Sequence, residues 1–310
     1  MREQLDLSLF SAFPPWISPR GDRTVILIFN PPWGRPLRYP IQEIPAGCEI
    51  TSDRRRFREA AAVVFHLPEL RRLRGFRKPA GQRWVAWWME CEAHYPQIRD
   101  PDSMGLFDLT MSHHQDADVF TAYCQPELLA ELRTPPRPKR PDHLVALFAS
   151  APYNASGRFD YIAELMQHLS IHSYGRRMGN RRLIADSGTQ SKLDTIAHYK
   201  FTLAFENAIA QDYVTEKFFQ PLLAGSVPVY LGAPNIEDFA PGDHCFINTA
   251  DFASARDLAA YLLMLNSDDN AYAEYFHWKA QPLRQSFLRL IETQRTHAFV
   301  RLCQRLSADP

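Results

Sequence analysis

Residues 198–232, HYKFTLAFENAIAQDYVTEKFFQPLLAGSVPVYLG, constrain this chain more than any other stretch. Two apolar runs, Phe201–Phe205 and Val227–Leu231, read as buried strands, and between them lie a polar loop at 206–213 and a helix opening at Thr215. Thr215 can accept from a first-turn amide that has no intrahelical partner, and Gly225 supplies a residue free to take positive φ where the helix stops. Pro221 falls inside that helix and predicts a local bend that spares the first turn. Strand, loop, helix and strand in this order belong to an α/β domain. The helix start, with its free amides and the positive end of the dipole, is a seat for phosphate. Lys217 adds a formal charge there, Tyr213 a stacking face, and Glu216 an acceptor for sugar hydroxyls, with Asn207 nearby in the loop. Composition alone would fit the same residues to a solvated ion pair and a half-buried loop aromatic.

The remainder of the chain keeps the α/β rhythm. Apolar, β-branched runs at 24–30, 60–67 and 83–89 read as buried strands, with a further strand at 48–51 followed by a turn at Arg54-Arg55-Arg56. At the carboxyl end of the 83–89 strand come Glu90, Glu92 and His94, where a parallel sheet gathers its ligands. Strand alternation continued through this point would place Glu90 and Glu92 on one face. Asp116-Ala117-Asp118 is formally a DxD, and the preceding His113 and His114 would point to opposite sides of an extended segment, a poor chelate. Residues 134–141, TPPRPKRP, hold four prolines within seven positions and read as a stiff interdomain linker. After it come a strand at 143–150, a loop, and a helix at 158–169 whose Phe159, Ile162, Leu165, Met166 and Leu169 form a core stripe. Arg158 lies off that stripe, at the helix start, where a planar guanidinium suits a diphosphate. A short strand at 171–174 ends in Tyr174-Gly175, residues 176–180 and 188–193 read as loop, and 254–266 and 283–307 as helix.

The 310 residues balance 35 Lys and Arg against 35 Asp and Glu, so there is no global basic field for nucleic acid. Basic clusters at 54–56, 71–72, 74, 77–78 and 176–177 read as solvated faces, with peripheral contact to an anionic membrane as the second reading. Cys48, Cys91, Cys124, Cys245 and Cys303 are odd in number and lack CxxC spacing, which predicts a reduced compartment and no structural zinc. No apolar run approaches membrane-spanning length, and the amino-terminal stretch has no signal-peptide core.

FTLAFEN followed by DYVTEKFFQPLLAGSVPVYLGAPNIEDFAPGDHCFI resembles the signature of the α1,3/α1,4-fucosyltransferase family, glycosyltransferase family 10, whose members carry FxxxFEN, YVTEK and AGxxPVxxG in this order. FDLTMSHHQDADVFTAY resembles the family's FDWTLSYRRDSDVFVPY-like block. The resemblance implies the GT-B architecture, two Rossmann-like domains facing across a cleft. Residues 1–134 would bind acceptor, 135–142 link, 143–285 bind GDP-fucose, and 286–310 form a helix packing back on the first domain. It implies inverting transfer of L-fucose from GDP-fucose to a GlcNAc hydroxyl, of lactosamine type or on the core chitobiose of an N-glycan. Glu90 takes the position of the general base, although Cys91 and Glu92 replace the family's Ser-Pro and make Glu92 a rival. Arg158 and Lys217 would stabilise the departing diphosphate, with Asn207, Tyr213, Glu216 and Tyr174 on the donor and Glu92, His94 and Asp116 toward the acceptor. No cofactor is required on this reading, and a divalent metal is at most stimulatory. The chain is similar to the soluble bacterial kind, hence cytoplasmic, though a trimmed Golgi luminal domain would read the same. Alternatives are a catalytically weak glycan-binding protein on the same fold and a transferase for another nucleotide sugar.

Overall fold

A computed structural model of the chain describes residues 23–70 and 77–308. The expectations for the amino-terminal stretch and for Arg71, Arg72 and Arg74 lie outside the described residues. The chain divides into two compact units, the first formed by 1–121 with 296–310 and the second by 122–295.

In the first unit six parallel strands, β1 (Thr24–Asn30), β2 (Cys48–Thr51), β3 (Ala62–His66), β4 (Arg83–Trp87), β5 (Leu109–Ser112) and β6 (Val119–Phe120), stand in the order β2-β1-β3-β4-β5-β6. Their apolar runs are continuous because both faces are covered. Val25, Leu27, Phe29, Val63, Phe65 and Trp84 pack on one side against Phe57 and Ile98. The alternate residues Ile26, Ile28, Val64 and Val85 pack on the other against Phe299, Leu302 and Cys303 of the last helix. A short helix, α1 (Pro101–Met104), precedes β5.

The second unit has five parallel strands, β7 (Val145–Leu147), β8 (Ile171–Ser173), β9 (Phe201–Phe205), β10 (Val227–Leu231) and β11 (Ile247–Asn248), in the order β11-β10-β9-β7-β8. Its helices are α2 (Leu129–Leu132), α3 (Arg158–Leu165), α4 (Thr189–Ile196), α5 (Glu216–Ala224), α6 (Ala255–Ser267), α7 (Asp269–Glu274) and α8 (Gln285–Gln294). Ile162 and Leu165 of α3 and Leu258 and Leu262 of α6 close over Val145, Leu147, Phe201 and Leu203. Thr215 caps α5 through its side chain, Gly225 ends it at φ 72°, and the helix runs through Pro221.

Several expectations need correction. The proline-rich segment belongs to the second unit, where Lys139 Nζ donates to the carbonyls of Ala197 at 2.9 Å and Gly225 at 2.5 Å. The 188–193 stretch is helical, since α4 opens at Thr189; its polar face had hidden it. The carboxyl-terminal helix breaks after Gln294 into α8 and α9 (Ala298–Ala308), and only α9 lies in the first unit. Cys48 and Cys303 are joined in a disulfide from β2 to α9, against the reading of an all-thiol chain, while Cys91, Cys124 and Cys245 are free and buried. Among the described residues no helix is long and apolar enough to cross a membrane.

Candidate active site

The chemistry of the second unit gathers where β9 ends. Glu206 leaves the strand fully buried, and its carboxylate accepts from Thr215 N at 2.8 Å and from the Thr215 hydroxyl at 2.8 and 2.9 Å. Lys217 Nζ lies 3.2 Å from the same carboxylate and 3.3 Å from Glu216. Burial opposes the Lys217 charge, but Glu206 and then Glu216 outweigh it and raise the ammonium above its ordinary range. Burial likewise pushes Glu216 up, and Lys217 and Lys192 together bring it below the usual carboxylate value. Gly232 makes this packing possible: a Cβ there would sit 2.7 Å from Glu206 Cγ and 2.4 Å from the Tyr230 hydroxyl. The loop itself is fixed by a reciprocal pair, Asp212 N donating to Asn235 Oδ1 at 3.0 Å and Asn235 Nδ2 to Asp212 Oδ1 at 2.8 Å.

Arg158 is only 2% exposed. Its Nη1 donates to the Phe205 carbonyl at 3.1 Å and Nη2 to the Ala151 carbonyl at 3.0 Å, while Nε has no hydrogen-bond partner among the described residues. Burial lowers the Arg158 pKa, and Glu206, Tyr213 and Glu216 are near enough to act against it. The guanidinium is therefore a desolvated cation held by carbonyl dipoles, with no carboxylate in ion-pair contact among the described residues. Asn207 Oδ1 is likewise a buried acceptor without a partner among the described residues. A buried cation short of an anion and a buried acceptor short of a donor are the groups that a phosphorylated, hydroxylated ligand satisfies.

Tyr213 is 2% exposed and offers no free stacking face, which corrects the expectation for it. Tyr174 stacks on Phe148 at 5.0 Å and shares a hydrogen bond of 2.7 Å with the Tyr199 hydroxyl. Lys192 was missed. It projects from α4 with its ammonium 5.5 Å from the Phe148 ring centre, within electrostatic reach of Glu216, Lys217 and Glu206. Burial lowers its pKa, and among the described residues it has no ion pair. Glu206 was also passed over, though an acid directly following a wholly apolar strand was its signal.

In the first unit β4 stops at Trp87, so strand alternation does not reach Glu92, which sits instead in a 3-10 turn, Glu92–His94. Glu90 is half-buried in the segment between them. Glu92 is engaged: Trp88 Nε1 donates to its Oε1 at 2.8 Å, and His114 Nε2 lies 2.5 Å from that oxygen. Burial pushes this carboxyl up, but the His114 contact and a backbone hydrogen bond together outweigh it and bring the group to about 2. His94 shares the turn, whereas Asp116 is exposed on the β5–β6 loop. Asp118 accepts from Thr110 N at 2.9 Å, joins β5 to β6 and pairs with Arg305, a structural role. His113 and His114 do not diverge. The chain bends after Ser112, so their rings lie 4.4 Å apart.

Two parallel α/β units, each with polar residues at the carboxyl ends of its strands, are the architecture of the GT-B fold. Residues 138–310 match the family described as glycosyltransferase family 10 (fucosyltransferase) C-term, and 21–124 match fucosyltransferase, N-terminal. The chain is 34% identical to human (Homo sapiens) 4-galactosyl-N-acetylglucosaminide 3-alpha-L-fucosyltransferase FUT6, over 94% of this chain and 81% of that one. It is 33% identical to human alpha-(1,3)-fucosyltransferase 4, over 94% of this chain and 62% of that one. A solved α1,3-fucosyltransferase superposes with a TM-score of 0.61 at 15% identity, covering 94% and 92% of the two chains. The same comparison for an α1,3-fucosyltransferase with GDP-fucose gives 0.55, again at 15% identity, over 93% and 92%. The chain belongs to glycosyltransferase family 10, the fucosyltransferases, and is a glycosyltransferase.

Proposed function

We propose that the protein transfers L-fucose from GDP-fucose to a GlcNAc hydroxyl of a galactosyl-GlcNAc glycan, with inversion at the anomeric carbon. The observation that carries the donor side is the cation set of buried Arg158 and half-buried Lys217 and Lys192 around the Glu206–Thr215 frame. As the bond from fucose to the β-phosphate breaks, negative charge grows on the departing diphosphate, and preorganised cations stabilise it without a metal. Asn207 Oδ1 and the Glu216 carboxylate are acceptors for nucleotide or sugar hydroxyls.

Glu90 is the base that takes the proton from the incoming hydroxyl. Glu92 serves poorly in that role, since a carboxyl brought to about 2 has little affinity for a proton at neutral pH. The relatives named as 4-galactosyl-N-acetylglucosaminide fucosyltransferases support the acceptor class. With GDP-fucose and a lactosamine acceptor, Glu90→Gln should lose roughly 100- to 10,000-fold in transfer, while GDP binding stays as in the parent. Near-parental turnover would remove Glu90 from the role, and equal binding of UDP or CMP would point to another nucleotide sugar.

A further inference from the structure

We propose that Glu92, His113 and His114 form a binding site for a divalent transition-metal ion of the zinc class on the first unit. The three side chains come from two places far apart in sequence that the sheet brings together. β4 and β5 are neighbouring parallel strands, paired from Val85↔Leu109 to Trp87↔Met111. Their carboxyl ends are therefore adjacent, and the turn after β4 delivers Glu92 while the bend after β5 delivers both histidines. One ligand atom from each of the three lies within 4.8 Å of the other two. A small closure of rotamers would bring such a set to the ligand separations of a tetrahedral ion.

The donor chemistry suits zinc or cobalt over magnesium or calcium, because two imidazole nitrogens and one carboxylate oxygen form a mixed nitrogen and oxygen set of borderline softness. Three protein ligands leave one position for water. The environment is prepared in the way metal sites usually are, with an outer group orienting an inner one: Trp88 Nε1 holds the Glu92 carboxylate at 2.8 Å. His113 is 1% exposed, and the Glu92 and His114 side chains keep 12% and 25% of their surface, which leaves an ion a way in. The ion would take the place of the hydrogen bond that now joins His114 to Glu92. This site is separate from the formal DxD, since Asp116 is exposed and Asp118 is committed to Thr110 and Arg305. It also involves none of the cations of the second unit, and it stands whether or not the proposed donor and acceptor are correct.

The test is a titration of the EDTA-stripped full chain with Zn2+ by calorimetry and with Co2+ by visible absorption. The parent should take up one equivalent with micromolar affinity or tighter and show the intense d–d bands of a low-symmetry cobalt site. His113→Ala and His114→Ala should each weaken binding by roughly 1,000-fold or more, beyond the roughly 10- to 100-fold that loss of an outer-shell partner produces. Asp116→Asn should leave it unchanged. X-ray absorption on the Zn2+-loaded parent, which needs no variant to fold, should count two imidazoles and no sulfur. The proposal is overturned by an absence of saturable binding, by an oxygen-only or sulfur-containing shell, or by folded histidine variants that bind as the parent does.

Discussion

Glu206 in the second unit and Glu92 in the first both follow a buried parallel strand, and each meets a basic side chain there, yet their surroundings differ. Glu206 is 0% exposed, bonded twice over by Thr215, and its partner Lys217 is bonded in turn to Thr215 and Glu216. Glu92 sits in a 3-10 turn at the rim with a single histidine and an indole. Burial wins in the first, pushing the Glu206 carboxyl up against the Lys217 charge, whereas in the second the His114 contact and a backbone hydrogen bond together outweigh burial. A carboxylate locked inside the domain can only organise; one that keeps some surface beside a half-buried neighbour can exchange partners. The difference separates a frame from a site.

The sharpest way to break this comparison is to remove each acid. Glu206→Ala leaves Lys217 buried beside an empty space and should cost about 3–5 kcal/mol in urea unfolding. Glu92→Ala should cost ~1 kcal/mol, since His114 keeps access to water. Equal losses would erase the distinction. The frame of the first unit is instead covalent, and Cys48→Ser should cost about 2–4 kcal/mol in stability under oxidising conditions, with no difference from the parent once both are reduced.

Lys279 sharpens the contrast among cations. Its ammonium donates to the carbonyls of Leu132 at 2.6 Å and Leu222 at 3.1 Å, and burial brings its pKa from 10.5 to about 8. A lysine whose folded pKa lies below its unfolded one binds fewer protons when folded between those values. The contribution of Lys279 to stability should therefore rise as pH goes from about 8 to 10.5, by ~1–3 kcal/mol, and be level below that window. The difference in urea stability between the parent and Lys279→Met should show this rise, because the parallel titration of Lys139 and the opposing one of the buried Cys91, Cys124 and Cys245 are common to both. The smallest effect is expected of Lys192→Met, a rise of about tenfold or less in the KM for donor with stability unchanged or slightly improved. A tighter KM would mean that this ammonium faces away from the nucleotide.

How much could be read beforehand follows the same division. The strands β1, β9 and β10, the Thr215 cap and the Gly225 stop were legible because local chemistry alone dictates them. Glu90, Arg158, Asn207, Glu216 and Lys217 were legible as candidates through residue type and motif, but their states were not. That Arg158 is turned onto carbonyls and Tyr213 is buried depends on how loops 150–157 and 206–213 close: Ser156 bonds the Glu206 carbonyl at 2.7 Å and the Asn207 carbonyl at 3.2 Å. Lys192 was hidden in a polar stretch whose helix draws its stability from packing on α5. The paired histidines were misread because the extended geometry ends at Ser112, and the disulfide because its cysteines lie 255 residues apart with no local pattern to join them.

The central claim is that the clustered cations of the second unit grip a diphosphate. Calorimetry with GDP and with guanosine, on the parent and on Lys217→Met, isolates that contribution, and guanosine affinity reports whether the variant keeps its fold. The account predicts that the parent prefers GDP by roughly 100-fold or more, and that Lys217→Met loses at least about tenfold of that preference while binding guanosine as before. Equal affinity of the parent for GDP and guanosine, or an undiminished preference in the variant, would contradict it.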